Sequence, residues 1–308
     1  MTKPNTPISI FFASIRALRA HQWTKNVLLF AALVFSINFT DSAHIINALT
    51  GFAAFCLLSS SGYILNDLLD READRKHPKK SKRPIASGAL PPAIAVLEFL
   101  VLIGAGSALS WSLSPTFSVL AACYLGTTLS YSFYFKHFVI LDVMFIAAGF
   151  VWRAVAGAAA ISVTISPWFF LCTAFLALFL GFTKRRGELT DLGDAAGTRK
   201  NLQEYNLPLL DHYQGIVVGN VVLAYALYAA LPASMGGGPT PLMTLTVPFV
   251  LYGLFRFLYL VEVKGEGAAP DETLLRDRPI QITVISYGLL TMAILYGHAN
   301  GLLSNFMG

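Results

Sequence analysis

Nine apolar blocks, near 22–38, 48–66, 91–111, 116–133, 139–160, 167–183, 214–232, 244–262 and 281–297, constrain this chain more than any other feature. A helix of about 20 apolar residues matches the roughly 30 Å hydrocarbon core of a bilayer, and lipid offers no partner for an unpaired backbone group. The blocks therefore predict an all-α, polytopic membrane protein with nine transmembrane helices. Composition agrees, because only 13% of residues are charged and 55% are hydrophobic, whereas soluble domains carry about 25% charge. A disordered chain, a disulfide scaffold and a soluble nucleic-acid binder are excluded by the same figures, so membrane lipids are expected partners and nucleic acid is not. Cys56, Cys123 and Cys172 fall within blocks and read as packing residues.

The net charge of +5 is a matter of placement. Lys and Arg gather before the first block, between Arg71 and Arg83, at Lys136, between Lys184 and Lys200, and between Arg256 and Arg278. The alternate connections, 39–47, 112–115, 161–166, 233–243 and the tail from His298, contain none. By the positive-inside rule the N-terminus and the basic loops are cytoplasmic and the C-terminus is outside. The first twenty residues lack a signal-peptide pattern. Pro91-Pro92, Ser114-Pro115 and Ser166-Pro167 supply helix starts, the last two with a serine cap. We expect a single membrane domain over 1–308, with active-site loops near 67–90 and 184–213.

Chemistry concentrates in the first of those loops. Asn66, Asp67, Asp70 and Asp74 follow the second block, and on a continuing helix the three Asp fall within an arc of about 60° over roughly 10 Å. Three aligned carboxylates repel one another at a membrane surface unless a cation neutralises them. Hard oxygen ligands at this spacing suit Mg²⁺, which bridges carboxylates to substrate phosphates. A solvated acidic helix end paired with adjacent Lys and Arg is the plainer alternative.

These residues resemble the UbiA-type intramembrane prenyltransferase superfamily, whose NDxxDxxxD signature closes the second of nine helices. Members carry a second Asp-rich motif after the sixth helix, but here Lys184, Arg185 and Arg186 precede Glu188, Asp191 and Asp194. That departure is similar to the branch of decaprenyl-phosphate phosphoribosyltransferases. So are the opening Arg19-Ala-His-Gln22-Trp23-Thr-Lys25-Asn26, the His77-Pro78 and Arg83-Pro84 pairs, Tyr131 with Lys136 and Asp142, Arg153-Ala154, and Leu275-Arg276-Asp277-Arg278. Ala20 replaces a common proline of the opening motif.

The resemblance implies transfer of 5-phosphoribosyl from phosphoribosyl pyrophosphate to a polyprenyl phosphate, with Mg²⁺ as cofactor. It implies metal ligation by Asn66, Asp67, Asp70 and Asp74, and catalytic roles for Asp70, Asp74 and Lys184. Substrate contacts are expected from Lys25, Asn26, Arg83, Tyr131, Lys136, Lys184, Arg185, Glu188, Arg199 and Arg276. A homo-oligomer is compatible with this reading. Mid-span Arg153 should face the bundle interior with a polar or acidic partner, for which Glu98 is a candidate. Lys136 could pair with Asp142 or bind phosphate, and Arg16 and Arg19 could meet anionic headgroups. The competing readings are an aromatic prenyltransferase of the same fold, which would want two acidic motifs, and a transporter, which would want mid-membrane charge and broken helices.

Overall fold

The structure, a computed structural model, describes residues 6–76, 78, 80–192, 200–267, 273, 274 and 276–302. Among these residues every regular element is helical. Short 3₁₀ turns aside, they are in order α1 (Pro7–Ala17), a 3₁₀ helix (Ala20–Leu29), α2 (Phe30–Phe35), α3 (Ser42–Leu69), α4 (Arg71–Lys76), α5 (Pro92–Leu113) and α6 (Pro115–Phe133). There follow α7 (Leu141–Ala160), α8 (Pro167–Leu192), α9 (Leu207–Ala230), α10 (Val247–Glu262) and α11 (Arg278–Ala299). Both expected serine caps form: the Ser114 hydroxyl accepts from Phe117 N at 3.0 Å and that of Ser166 from Phe169 N at 3.2 Å.

Among the described residues, seven helical stretches are long and apolar enough to cross a bilayer: 42–69, 92–113, 141–160, 167–190, 207–230, 241–262 and 278–299. The other two expected spans differ in kind. The 19 residues of α6 include Thr127, Thr128, Ser130 and Ser132, which lower its apolarity without shortening it. The first span is a 3₁₀ helix continued by α2. Its tighter winding compensates for its few residues, since ten at about 2.0 Å and six at about 1.5 Å reach about 29 Å. Three residues per turn also stack Trp23, Asn26 and Leu29 on one face, and Asn26 and Leu29 are fully buried there.

Helix α3 lies at the centre of one half, against α5, α6 and α7, while α8 sits between α7 and α9, and α10 packs on α9 and α11. The Gly- and Ala-rich end of α7 admits the 3₁₀ helix: a side chain on Gly157 would meet the Leu29 carbonyl oxygen at 2.2 Å. Val96, Leu97, Leu100 and Val101 on α5 and Ile282, Val284, Ile285 and Leu289 on α11 are exposed, forming an apolar shell suited to lipid. The chain is a multi-pass membrane protein. Because successive spans alternate in direction, the end of α3, the 135–140 turn, the end of α8 and the start of α9 share one end of the bundle.

Candidate active site

The acidic face forms as the spacing predicts. Helix α3 ends at Leu69, yet Asp70 N still bonds Asn66 O at 2.9 Å and Asp74 N bonds Asp70 O at 2.8 Å, so α4 resumes the same path. Asp67, Asp70 and Asp74 thus stay on one stripe. Each carboxylate meets a cation. Asp67, 2% exposed, accepts on Oδ1 from Arg19 at 2.5 Å and from Arg83 at 3.0 Å. Arg83 also reaches Asp74 at 2.7 Å, and Lys136 reaches Asp70 at 2.7 Å. The loop that carries Arg83 is held by Arg75, whose Nε donates to Ala86 O at 3.1 Å. Lys136, for which the sequence left Asp142 or a phosphate open, pairs with Asp70.

Among the described residues no three acidic, histidine or cysteine side chains converge on one point. The donor chemistry nonetheless suits a divalent ion: hard oxygens on successive turns, with positively charged nitrogens already 2.5 to 3.0 Å from them. Such an ion would complete its shell with water and substrate phosphate, as Mg²⁺ commonly does.

A second polar cluster lies at the end of α8. The helix runs to Leu192, so Lys184, Arg185 and Glu188 are helical where sequence placed a loop. Arg185 is 1% exposed, its Nε is 2.8 Å from Oδ2 of fully buried Asp142, and its other arms reach Glu188 and, at 3.5 Å, the Tyr131 hydroxyl. Expected as a phosphate clamp, Arg185 is enclosed by its own protein partners instead. Tyr205 completes the cluster, donating to Asp142 Oδ1 at 2.9 Å while accepting from Ile140 N at 2.7 Å. Burial holds the Tyr205 phenol above its ordinary range, so it stays a donor. Ile140 has φ of 69°, an uncommon conformation for a β-branched residue, and this hydrogen bond helps hold it.

Arg153 does face inward, but toward neutral partners. Its guanidinium donates to Asn26 Oδ1 at 2.7 Å, Gly149 O at 2.8 Å and the Tyr124 hydroxyl at 2.8 Å, and it lies 4.6 Å from the Tyr124 ring centre. Glu98 is not among them. Asn26, expected at the substrate, is spent on Arg153 and on Cys56 and Ser59, each 3.3 Å away.

The remaining expected residues are dispersed around this end of the bundle. Lys25 bonds Gln22 at 2.5 Å on the 3₁₀ helix, Asn66 and Lys184 are half-buried, and Arg276 is exposed. Arg199, with His77 and Asp194, lies outside the described residues. Arg19 opened the motif read from sequence and was weighed as a headgroup contact, but its pairing with Asp67, 48 positions away, was not legible there. Tyr205 escaped the sequence reading, since it sits in a connection without periodicity.

The UbiA prenyltransferase family model matches residues 27–272. The decaprenyl-phosphate phosphoribosyltransferase of Corynebacterium glutamicum is 34% identical over 304 residues, spanning 96% of this chain and 90% of its own length. That of Mycolicibacterium smegmatis is 32% identical, spanning 94% of this chain and 95% of its own. Among solved structures, a UbiA homologue from Archaeoglobus fulgidus bound to GPP and Mg²⁺ superposes with a TM-score of 0.70 at 17% identity, over 95% of this chain and 99% of that one.

Proposed function

The chain belongs to the UbiA prenyltransferase family, and we propose that it is the transferase that moves 5-phosphoribosyl from phosphoribosyl pyrophosphate to a polyprenyl phosphate, releasing pyrophosphate. The observation that carries this reading is the asymmetry of the two polar clusters. Three carboxylates align on one face, on α3 and α4, where they could bridge a metal to a diphosphate. At the end of α8, Lys184, Arg185 and Arg186 precede Glu188, which pairs with Arg185, so among the described residues no second stripe of aligned carboxylates stands there.

The acceptor phosphate is already an anion, so attack on the anomeric carbon needs no strong general base. The chain's task is to hold two anionic substrates in line and stabilise the departing pyrophosphate. Asn66, Asp67, Asp70 and Asp74 would hold a divalent ion, and when bound it neutralises charge on the leaving group. Lys136, Arg83 and Lys184 border this region as phosphate donors, with Lys25 and Arg276 as outer contacts. Tyr131, Arg185 and Glu188 position the cluster behind them. In-line displacement inverts the anomeric centre. The positive-inside pattern puts this chemistry on the cytoplasmic face, with the N-terminus inside and the C-terminus outside.

The test is pyrophosphate release by the purified protein with Mg²⁺. Release from phosphoribosyl pyrophosphate that depends on added polyprenyl phosphate supports the proposal. Release only from a prenyl diphosphate in the presence of 4-hydroxybenzoate would replace it with the aromatic prenyltransferase reading.

A further inference from the structure

We propose that Arg19 is a displaceable counter-ion of the acidic face, occupying Asp67 while the face is empty and yielding that carboxylate to the metal when donor and metal arrive. The inference rests on the reading that the face takes a divalent ion. Six side chains balance there, Asp67, Asp70 and Asp74 against Arg19, Arg83 and Lys136. Their charges cancel, so this group offers a metal ion alone little net attraction, and the cations occupy the oxygens it needs.

Three observations single out Arg19 as the one that leaves. First, it is redundant, because Asp67 Oδ1 also accepts from Arg83, whereas Arg83 is shared between Asp67 and Asp74. Second, its guanidinium also lies over the Tyr63 ring, 5.1 Å from its centre, a contact that does not depend on the carboxylates. Third, its backbone is left-handed, with φ and ψ both 51°, at the joint between α1 and the 3₁₀ helix. Two separate elements meet there, and a joint is where a side chain can change direction with little disturbance to either.

Departure of Arg19 conserves ion pairing if donor phosphates receive it. Metal takes the carboxylate oxygen, and the guanidinium takes a phosphate oxygen, for which its planar fork is well matched. The exchange makes metal and donor bind together, each removing a cost the other would meet alone.

The test uses the purified full chain and Mn²⁺, read as free ion by electron paramagnetic resonance, without donor. Arg19→Gln should bind Mn²⁺ about tenfold more tightly than wild type, because a competing positive charge has been removed. The same variant should bind phosphoribosyl pyrophosphate more weakly in the presence of metal. Wild-type Mn²⁺ affinity in a folded Arg19→Gln variant would overturn the proposal and leave the metal reading standing. Failure of both proteins to bind Mn²⁺ would overturn both. Arg19→Met also removes the charge while keeping an unbranched stem against the Tyr63 ring, and serves if the Gln variant does not fold. A several-fold tightening in it supports the exchange, and unchanged affinity contradicts it.

Discussion

The Nε of Arg153 donates to the Oδ1 of Asn26 over 2.7 Å, joining residues 127 positions apart in the interior of the bundle. The bond ties the 3₁₀ helix to α7, and Tyr124 extends it to α6. A charge at this depth is costly unless its donors are met, and here three neutral acceptors meet them. Asn26→Ala should therefore act on stability: loss of a hydrogen bond to a buried charged group costs about 2 kcal/mol. A lowered midpoint of thermal unfolding in detergent, with donor affinity unchanged in the folded fraction, is expected. Unchanged stability with weakened donor binding would return Asn26 to the substrate.

Arg185 and Asp142 should behave as one unit. Arg185→Met leaves the buried Asp142 charge uncompensated and should cost about 3–5 kcal/mol, while Asp142→Asn leaves Arg185 its pair with Glu188 and should cost less. Replacing both with apolar residues of similar volume should recover much of that loss. If Arg185→Met instead folds with normal stability and fails only in donor binding, the guanidinium is a phosphate ligand.

Asp70 and Asp67 differ in what surrounds them. Asp70 caps α3 at the edge of the face, 29% exposed, so Asp70→Asn should abolish turnover at near-normal stability. Asp67, 2% exposed between two guanidinium groups, should lose both when changed to Asn. Paired activity and unfolding measurements distinguish the two.

Asp277 gives an acid-side prediction. Its hydrogen bond from Arg256 at 2.8 Å, with that from Ile280 N at 3.0 Å, holds the carboxyl below the usual carboxylate range. A lowered pKa means stability that is present above the unfolded value of about 4 and lost as pH falls through the folded one. Asp277→Ala should remove that acid-side dependence and lose the cap of α11, worth about 1 kcal/mol. Unfolding midpoints at pH 7 and across the acid range check both.

Much of this architecture was legible in the residues, for reasons that also mark where legibility ends. Apolar block length reports bilayer thickness directly, so α5, α6, α7, α10 and α11 fell within about three residues of their expected places, while α3, α8 and α9 run beyond theirs into polar ends. The acidic face was legible because Asp67, Asp70 and Asp74 are near neighbours on one helical path. The winding of the first span was not, since a 3₁₀ and an α helix can share one apolar composition. Partner choice was hidden for a different reason. Lys136, Arg185 and Arg153 each had several plausible partners by charge, and only the packing of distant helices selects Asp70, Asp142 and Asn26.

The central claim is a claim about a product. Purified protein should be incubated with Mg²⁺, phosphoribosyl pyrophosphate and a polyprenyl phosphate, and the extracted lipid measured by mass spectrometry. A lipid heavier by one phosphoribosyl group, absent with Asp70→Asn, is the expected result. An unmodified lipid, with a prenylated aromatic acid formed when prenyl diphosphate and 4-hydroxybenzoate are supplied instead, would contradict it.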